Sequence, residues 1–156
     1  MRLTRYTDYA MRVLLYCAQS SRDAPGDQQA QLVSIARIAR AYDISQNHLM
    51  KVVNDLVNAG YLESVRGRSG GIRLARPADQ INIGALVRHT EDGFDLLECG
   101  NCVIAPACGL TGVMAEALRA FLAVLDGYTL ADVLGRRADF LFLLESAERP
   151  APPGMA

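Results

Sequence analysis

Cys99, Cys102 and Cys108 fall together in the run CGNCVIAPAC. Thiolates are soft donors, and three of them on one short segment can close around a single soft metal centre. Gly100, Pro106 and Gly109 punctuate the segment, so it reads as a loop, and these spacings do not put all three sulfurs on one helix face. The residues alone leave other readings open. The cysteines could be reduced bystanders, or His89 could complete a Cys3His zinc site with them. Cys17 differs, because it stands among the apolar positions of an N-terminal helix and reads as a core thiol.

A second set of residues has the chemistry of nucleic-acid recognition. Ser45, Gln46, Asn47, His48, Met50, Lys51 and Asn54 occupy the side of a predicted helix opposite its apolar face. Amides and a lysine are the groups that donate to base edges and phosphates in a major groove. Arg66 and Arg68 flank Gly67 in a glycine-rich turn, from which they could reach a minor groove or the backbone.

These residues need elements to position them. Thr7 is expected to cap a first helix, with Asp8 in its first turn and Tyr9, Ala10, Val13, Leu14, Cys17 and Ala18 at helical spacing. A polar loop follows over residues 21–31. Ser34 caps a short helix with Ile35, Ile38 and Ala39, and Asp43-Ile44 makes a tight connection. Ser45 caps the next helix, whose apolar side is Leu49, Val52, Val53 and Leu56 and which stops at Gly60. Two strand-like runs, 61–65 and 72–75, enclose the basic turn and read as a hairpin. Helix, tight turn, helix and hairpin is the order of a winged helix-turn-helix. A short helix over 83–89 precedes the acidic, cysteine-bearing stretch 91–108. Beyond it Leu110, Val113, Met114, Ala117, Leu118, Phe121, Leu122 and Leu125 form the seam of a long helix seeking another helix. Thr129 and Asp132 mark a last short helix.

Charge divides along the chain. Residues 1–76 carry eleven Arg and Lys against six Asp and Glu, whereas residues 77–156 carry five against eleven. The whole chain of 156 residues is nearly neutral at −1, so only the first part is basic in the way of a DNA-binding module. With 51% hydrophobic and 21% charged residues, the chain can bury a real core. No apolar run approaches the ~18–20 residues of a membrane span and no secretory signal is evident, so a cytoplasmic protein without a membrane partner is expected. No P-loop, Gly-x-Ser-x-Gly or cysteine–histidine–acid motif is present, and an enzyme is not expected.

Three stretches, MRLTRYTDYAMRVLLY, ISQNHLMKVVNDLVNAGYLESVRGRSGGIRLAR and CVIAPACGL with AFLAVLDGYTLADV, resemble the IscR/NsrR family of bacterial iron–sulfur transcription regulators, its nitric-oxide-sensing members most of all. The resemblance implies a mainly α fold with a small β-hairpin wing, and a homodimer joined through the long C-terminal helix. It further implies repression at double-stranded operator DNA. Its cofactor is an iron–sulfur cluster, [4Fe–4S] or alternatively [2Fe–2S], on Cys99, Cys102 and Cys108, with Asp8 from the other subunit as fourth ligand and nitric oxide as the signal. The family usually places four or more residues between its first two cysteines, and here only Gly100 and Asn101 intervene. Alternatives are the same fold sensing iron or cluster status, and a zinc-stabilised DNA-binding or interaction module. The expected division is a DNA-binding domain at 1–78, cluster loop and dimerisation helix at 79–146, and a disordered tail at 147–156.

Overall fold

Helix α1 (Arg5–Ser20) opens the chain in the computed structural model, which describes residues 2–20, 32–67 and 69–134, together with Leu143 and Ser146. The expected loop at 21–31, the tail at 147–156 and Arg68 lie outside the described residues. Ala10, Val13, Leu14 and Cys17 are buried at helical spacing, as the sequence pattern requires. Tyr16, Ala18 and Gln19 are buried too, because α1 is packed by α3, by the second hairpin strand and by α4.

The N-cap is displaced by one turn from the expected Thr7. Helix α1 begins at Arg5, and Thr4 Oγ1 accepts from the backbone N–H of Thr7 at 3.3 Å. Thr7 lies inside the first turn and is fully buried. The cause is a long-range partner. Glu91 Oε1 accepts from Thr4 N at 2.8 Å and from Thr4 Oγ1 at 3.0 Å, and also from the Thr7 hydroxyl, which lies 2.9 Å from Thr90 Oγ1 as well. A carboxylate brought to free helix N–H groups satisfies donors that the helix itself leaves unpaired.

Helix α2 (Ile35–Ala41) is capped by Ser34, whose hydroxyl accepts from Arg37 N at 3.3 Å. Asp43, at φ 51°, makes the turn into α3 (Gln46–Asn58). Helix α3 ends in a Schellman arrangement, with Gly60 N donating to Val57 O and Tyr61 N to Leu56 O. Gly60 takes φ 73° there, in the left-handed region that glycine enters without strain. The hairpin pairs β1 (Leu62–Val65) with β2 (Gly71–Leu74), Leu62 facing Leu74 and Val65 facing Gly71. Val33 adds a bridge to Ile72, and a Cβ on Gly71 would meet Val33 O at 2.8 Å. The expected winged helix-turn-helix is therefore present, its wing welded to the segment before α2.

Beyond the wing the chain stays on the same core. Ile81, Ile83, Leu86, Val87 and Leu130 are buried in one cluster with Leu14, Leu49, Leu56 and Ile72. Asn82 caps α4 (Ile83–Thr90), accepting from Ala85 N at 2.9 Å, and its amide donates to Asp126 O at 2.8 Å. Helix α5 (Leu110–Asp126) follows the cysteine loop. Thr129 and Asp132 form a capping box on α6 (Leu130–Val133). Among the described residues no helix is long and apolar enough to cross a membrane.

Burial alone would raise the Glu91 carboxyl, but the hydrogen bonds from Thr7 and Thr4 outweigh it and hold the group below the ordinary carboxylate range. A depressed folded-state pKa contributes stability that is present above the unfolded value and lost as pH falls through the folded one. Glu91→Gln should therefore lower the melting temperature at pH 7 by about 2–4 °C, the equivalent of roughly 1 kcal/mol. The gap to the parent protein should close as the pH falls below about 4. Thermal melts followed by circular dichroism at both pH values check this; equal melting at pH 7 would show that the carboxylate contributes nothing.

Candidate nucleic-acid interface and cysteine loop

Helix α3 separates its two faces cleanly. Leu49, Val52, Val53 and Leu56 are buried against the core, which fixes the rotation of the helix about its axis. That rotation leaves Gln46, Asn47, His48, Met50, Lys51 and Asn54 exposed, as the sequence pattern anticipates. Gln46, Met50 and Asn54 follow each other at four-residue steps and so share one row; Asn47 and Lys51 form the row beside it. No acidic side chain stands in the first turn of α3. Ser45 occupies the N-cap position, exposed and without a side-chain cap bond, so its hydroxyl is not used by the helix. The arrangement places hydroxyl and amide donors at a helix N-terminus, the end that favours anions, with the positive charge of Lys51 in the second turn.

The wing stands beside this helix. Arg66 is exposed at the end of β1, and Gly67 takes φ 121° in the turn that follows. A Cβ on Gly70 would meet Val65 O at 2.3 Å, so the tight return of the turn needs glycine there. Arg73 pairs with Glu63 across the hairpin, which leaves Arg66 as the outer basic group among the described wing residues.

The cysteine loop winds through successive tight turns. Cys102 N donates to Cys99 O at 3.2 Å, Ala105 N to Cys102 O at 3.1 Å, and Cys108 N to Ala105 O at 3.3 Å. Cys102 is exposed, Cys99 and Cys108 are half-buried, and all three are free thiols. Cys99 Sγ lies 3.6 Å from Thr111 Oγ1 on α5. An open cavity of about 410 Å³ separates the loop from the first half of α5, with Phe94, Leu97, Cys99, Met114 and Leu118 in its wall. Among the described residues no group of three or more His, Cys, Asp or Glu side chains is gathered closely enough to hold a metal ion. The donor set itself suits an iron–sulfur cluster, being three accessible thiols on one segment next to a cavity.

The remaining candidates are accounted for individually. Asp8 is exposed on the first turn of α1 and pairs with Arg12 Nε at 3.0 Å, a half-exposed i,i+4 pair. His89 Nε2 lies 2.9 Å from Asp55 Oδ2, and its ring rests 5.8 Å from that of Tyr61, so it belongs to the α3–α4 junction. Burial pushes the Cys17 thiol up to about 12, so it stays protonated at neutral pH and serves the core. Spacing does not single out Glu91. Its only sequence signal is the Thr4-x-x-Thr7 pair, whose partner stands 84 residues beyond Thr7.

Helix α5 has no fully buried residue. Met114, Leu118, Phe121, Leu122 and Leu125 are half-buried, whereas Leu110, Val113, Ala117, Ala120 and Val124 are exposed. The exposed set repeats at intervals of three, four, three and four residues. The single apolar seam read from sequence thus resolves into two faces.

Comparison with known proteins accords with this geometry. Residues 3–136 match the profile of Rrf2, described as an iron-dependent transcriptional regulator. The HTH-type transcriptional regulator NsrR of Bacillus subtilis (strain 168) is 49% identical over 153 residues, covering 95% of this chain and all of that protein. Among solved structures, IscR of T. potens superposes with a TM-score of 0.65 at 25% identity, over 97% of this chain and 93% of the other. The oxidized form of Staphylococcus aureus CymR gives a TM-score of 0.67 at 25% identity, over 86% and 97%. With its helix-turn-helix, its wing and this match over most of its length, the chain belongs to the Rrf2 family of transcriptional regulators and is a DNA-binding regulator, not an enzyme.

Proposed function

We propose that the protein is a cytoplasmic, homodimeric repressor that holds an iron–sulfur cluster and releases operator DNA in response to nitric oxide. The observation that carries this reading is the placement of three free, accessible cysteines on the loop that leads directly into α5, the helix with an uncovered apolar face. In this reading residues 1–78 bind DNA and residues 79–146 hold the cluster and form the dimer. Ligands are Cys99, Cys102 and Cys108, with Asp8 of the partner subunit as the fourth, a carboxylate whose ion-pair partner among the described residues of its own chain is the half-exposed Arg12. A [4Fe–4S] cluster held by these residues would supply iron able to react with a diatomic gas, and the Asp8 carboxylate would be a more labile ligand than the three thiolates. The family's description as iron-dependent keeps iron supply as the competing signal.

The chain's own residues do the rest. Lys51 and Arg66, with Arg68, neutralise phosphates; Ser45 and the α3 N-terminus fix the register; Gln46, Asn47 and His48 face base edges. Leu110, Val113, Ala117, Ala120 and Val124 present an a/d-like stripe that two copies of α5 would bury together. Because α5 sets the distance between two reading helices, a loop that loses its hold on α5 moves both recognition surfaces at once. Cutting binding a hundredfold in this way needs a bias of only ~3 kcal/mol.

Titration of the iron-loaded protein with nitric oxide, following visible absorbance and operator binding in the same samples, tests the signal. Bleaching and DNA release should run together, and Cys102→Ala and Cys108→Ala should bind operator poorly from the start. DNA binding that survives full bleaching transfers the signal to iron supply. The dimer is tested separately. Ala117→Glu should give a folded monomer in sedimentation, since it charges the exposed stripe and leaves the half-buried face intact. Removing Lys51 or Asn47 should act differently on DNA. Lys51→Ala should reduce the salt slope of binding by about 1 for each phosphate left without its lysine, on any duplex. Asn47→Ala should chiefly relax sequence preference, losing roughly 1–3 kcal/mol on the operator alone. Equal losses on operator and random DNA would contradict a base-reading role.

A further inference from the structure

Met50 is the apolar anomaly of the DNA-reading face. It is 43% exposed, near the middle of the exposed surface of α3, while every other large apolar residue of the helix faces the core. The core does not depend on it, because the four buried residues of α3 already set the helix against α1, α2 and β1. Its row neighbours are Gln46 and Asn54, one helical turn away on either side. Gln and Asn amides pair bidentately with the N6 and N7 groups of adenine, and the only apolar group a base pair offers in the major groove is the 5-methyl of thymine. An amide–thioether–amide row therefore has the chemistry of A·T pairs. One turn of helix advances about 5.4 Å, between one and two base-pair steps, so side chains in the row can meet neighbouring pairs.

We propose that Met50 is a specificity-determining residue whose methylthio group packs against a thymine 5-methyl in each operator half-site, flanked by amide readout from Gln46 and Asn54. This rests on α3 being the reading helix. Met suits the task because it is unbranched and polarisable, and fits a methyl group without imposing a fixed shape. The partner is a T-containing B-form duplex with the surplus negative charge that the basic first part of the chain attracts.

The experiment uses the iron-loaded full-length protein, its loading checked by visible absorbance, and an operator selected from a pool of random duplexes. Each thymine of the selected operator is replaced in turn by deoxyuridine, which removes the 5-methyl and keeps every hydrogen-bonding group. Binding is read by fluorescence anisotropy for the parent protein and for Met50→Ala, with melting temperatures compared to confirm that this exposed substitution leaves the fold intact. One symmetric pair of positions should weaken the parent about fourfold per half-site, the factor that burying one methyl group is worth. Met50→Ala should lose that sensitivity while keeping its dependence on the remaining positions. A parent protein indifferent to deoxyuridine everywhere, or a Met50→Ala variant as sensitive as the parent, overturns the assignment and leaves α3 as a reading helix. A parent that enriches no duplex removes the reading helix itself, and the assignment with it.

Discussion

The DNA-binding part of this chain is assembled on α1, a helix buried on more than one side. Residues Ala10, Val13, Leu14 and Cys17 are almost completely removed from water, and Tyr16, Ala18 and Gln19 extend the buried surface around the helix. Helix α3, hairpin strand β2 and helix α4 all pack on it. A close-packed interior transmits small displacements, so none of these three can shift without α1. The same helix carries Asp8 on its exposed first turn and is capped from outside by Glu91, the residue from which the cysteine loop departs. One packed body thus joins the exposed polar face of α3 to the root of the loop.

The second joint lies between α4 and α5. Arg88 reaches Asp126 with two hydrogen bonds, at 2.5 and 2.7 Å, and these hold the Asp126 carboxyl below its ordinary range. Gly84 leaves room for this contact, since a Cβ there would lie 2.0 Å from Asp126 Oδ1. Asn82 and the pairing of Asn82 with Thr129 tie the same end of α5 to the body. Helix α5 is therefore anchored at its C-terminal end, while Thr111, Met114 and Leu118 nearer its N-terminal end line the cavity beside the cysteine loop. A helix held firmly at one end is suited to report what happens at the other.

Charge follows this division of labour. Exposed Gln46, Asn47, His48, Lys51 and Arg66 lie on the basic part of the chain, and Glu91, Asp92, Asp95 and Glu98 lead into the cysteines. The acidic loop would be repelled by the phosphates that the first part attracts, which keeps the thiols and the duplex on separate surfaces.

The elements, their order and the exposed polar face of α3 were legible in the sequence, because helical periodicity, capping residues and glycine at Gly60 are local signals. The cysteine loop was legible from composition for the same reason. What depended on residues distant along the chain was not. Thr7 reads locally as an N-cap, yet Glu91, far along the chain, draws Thr4 into that role and buries Thr7. His89 could be matched to the cysteines by proximity in sequence, and packing pairs it instead with Asp55. The apolar seam of α5 was visible, but its split into a half-buried face and an exposed stripe was not. Periodicity says which residues of a helix are apolar; only the surrounding tertiary structure decides which of them its own chain covers and which it leaves exposed.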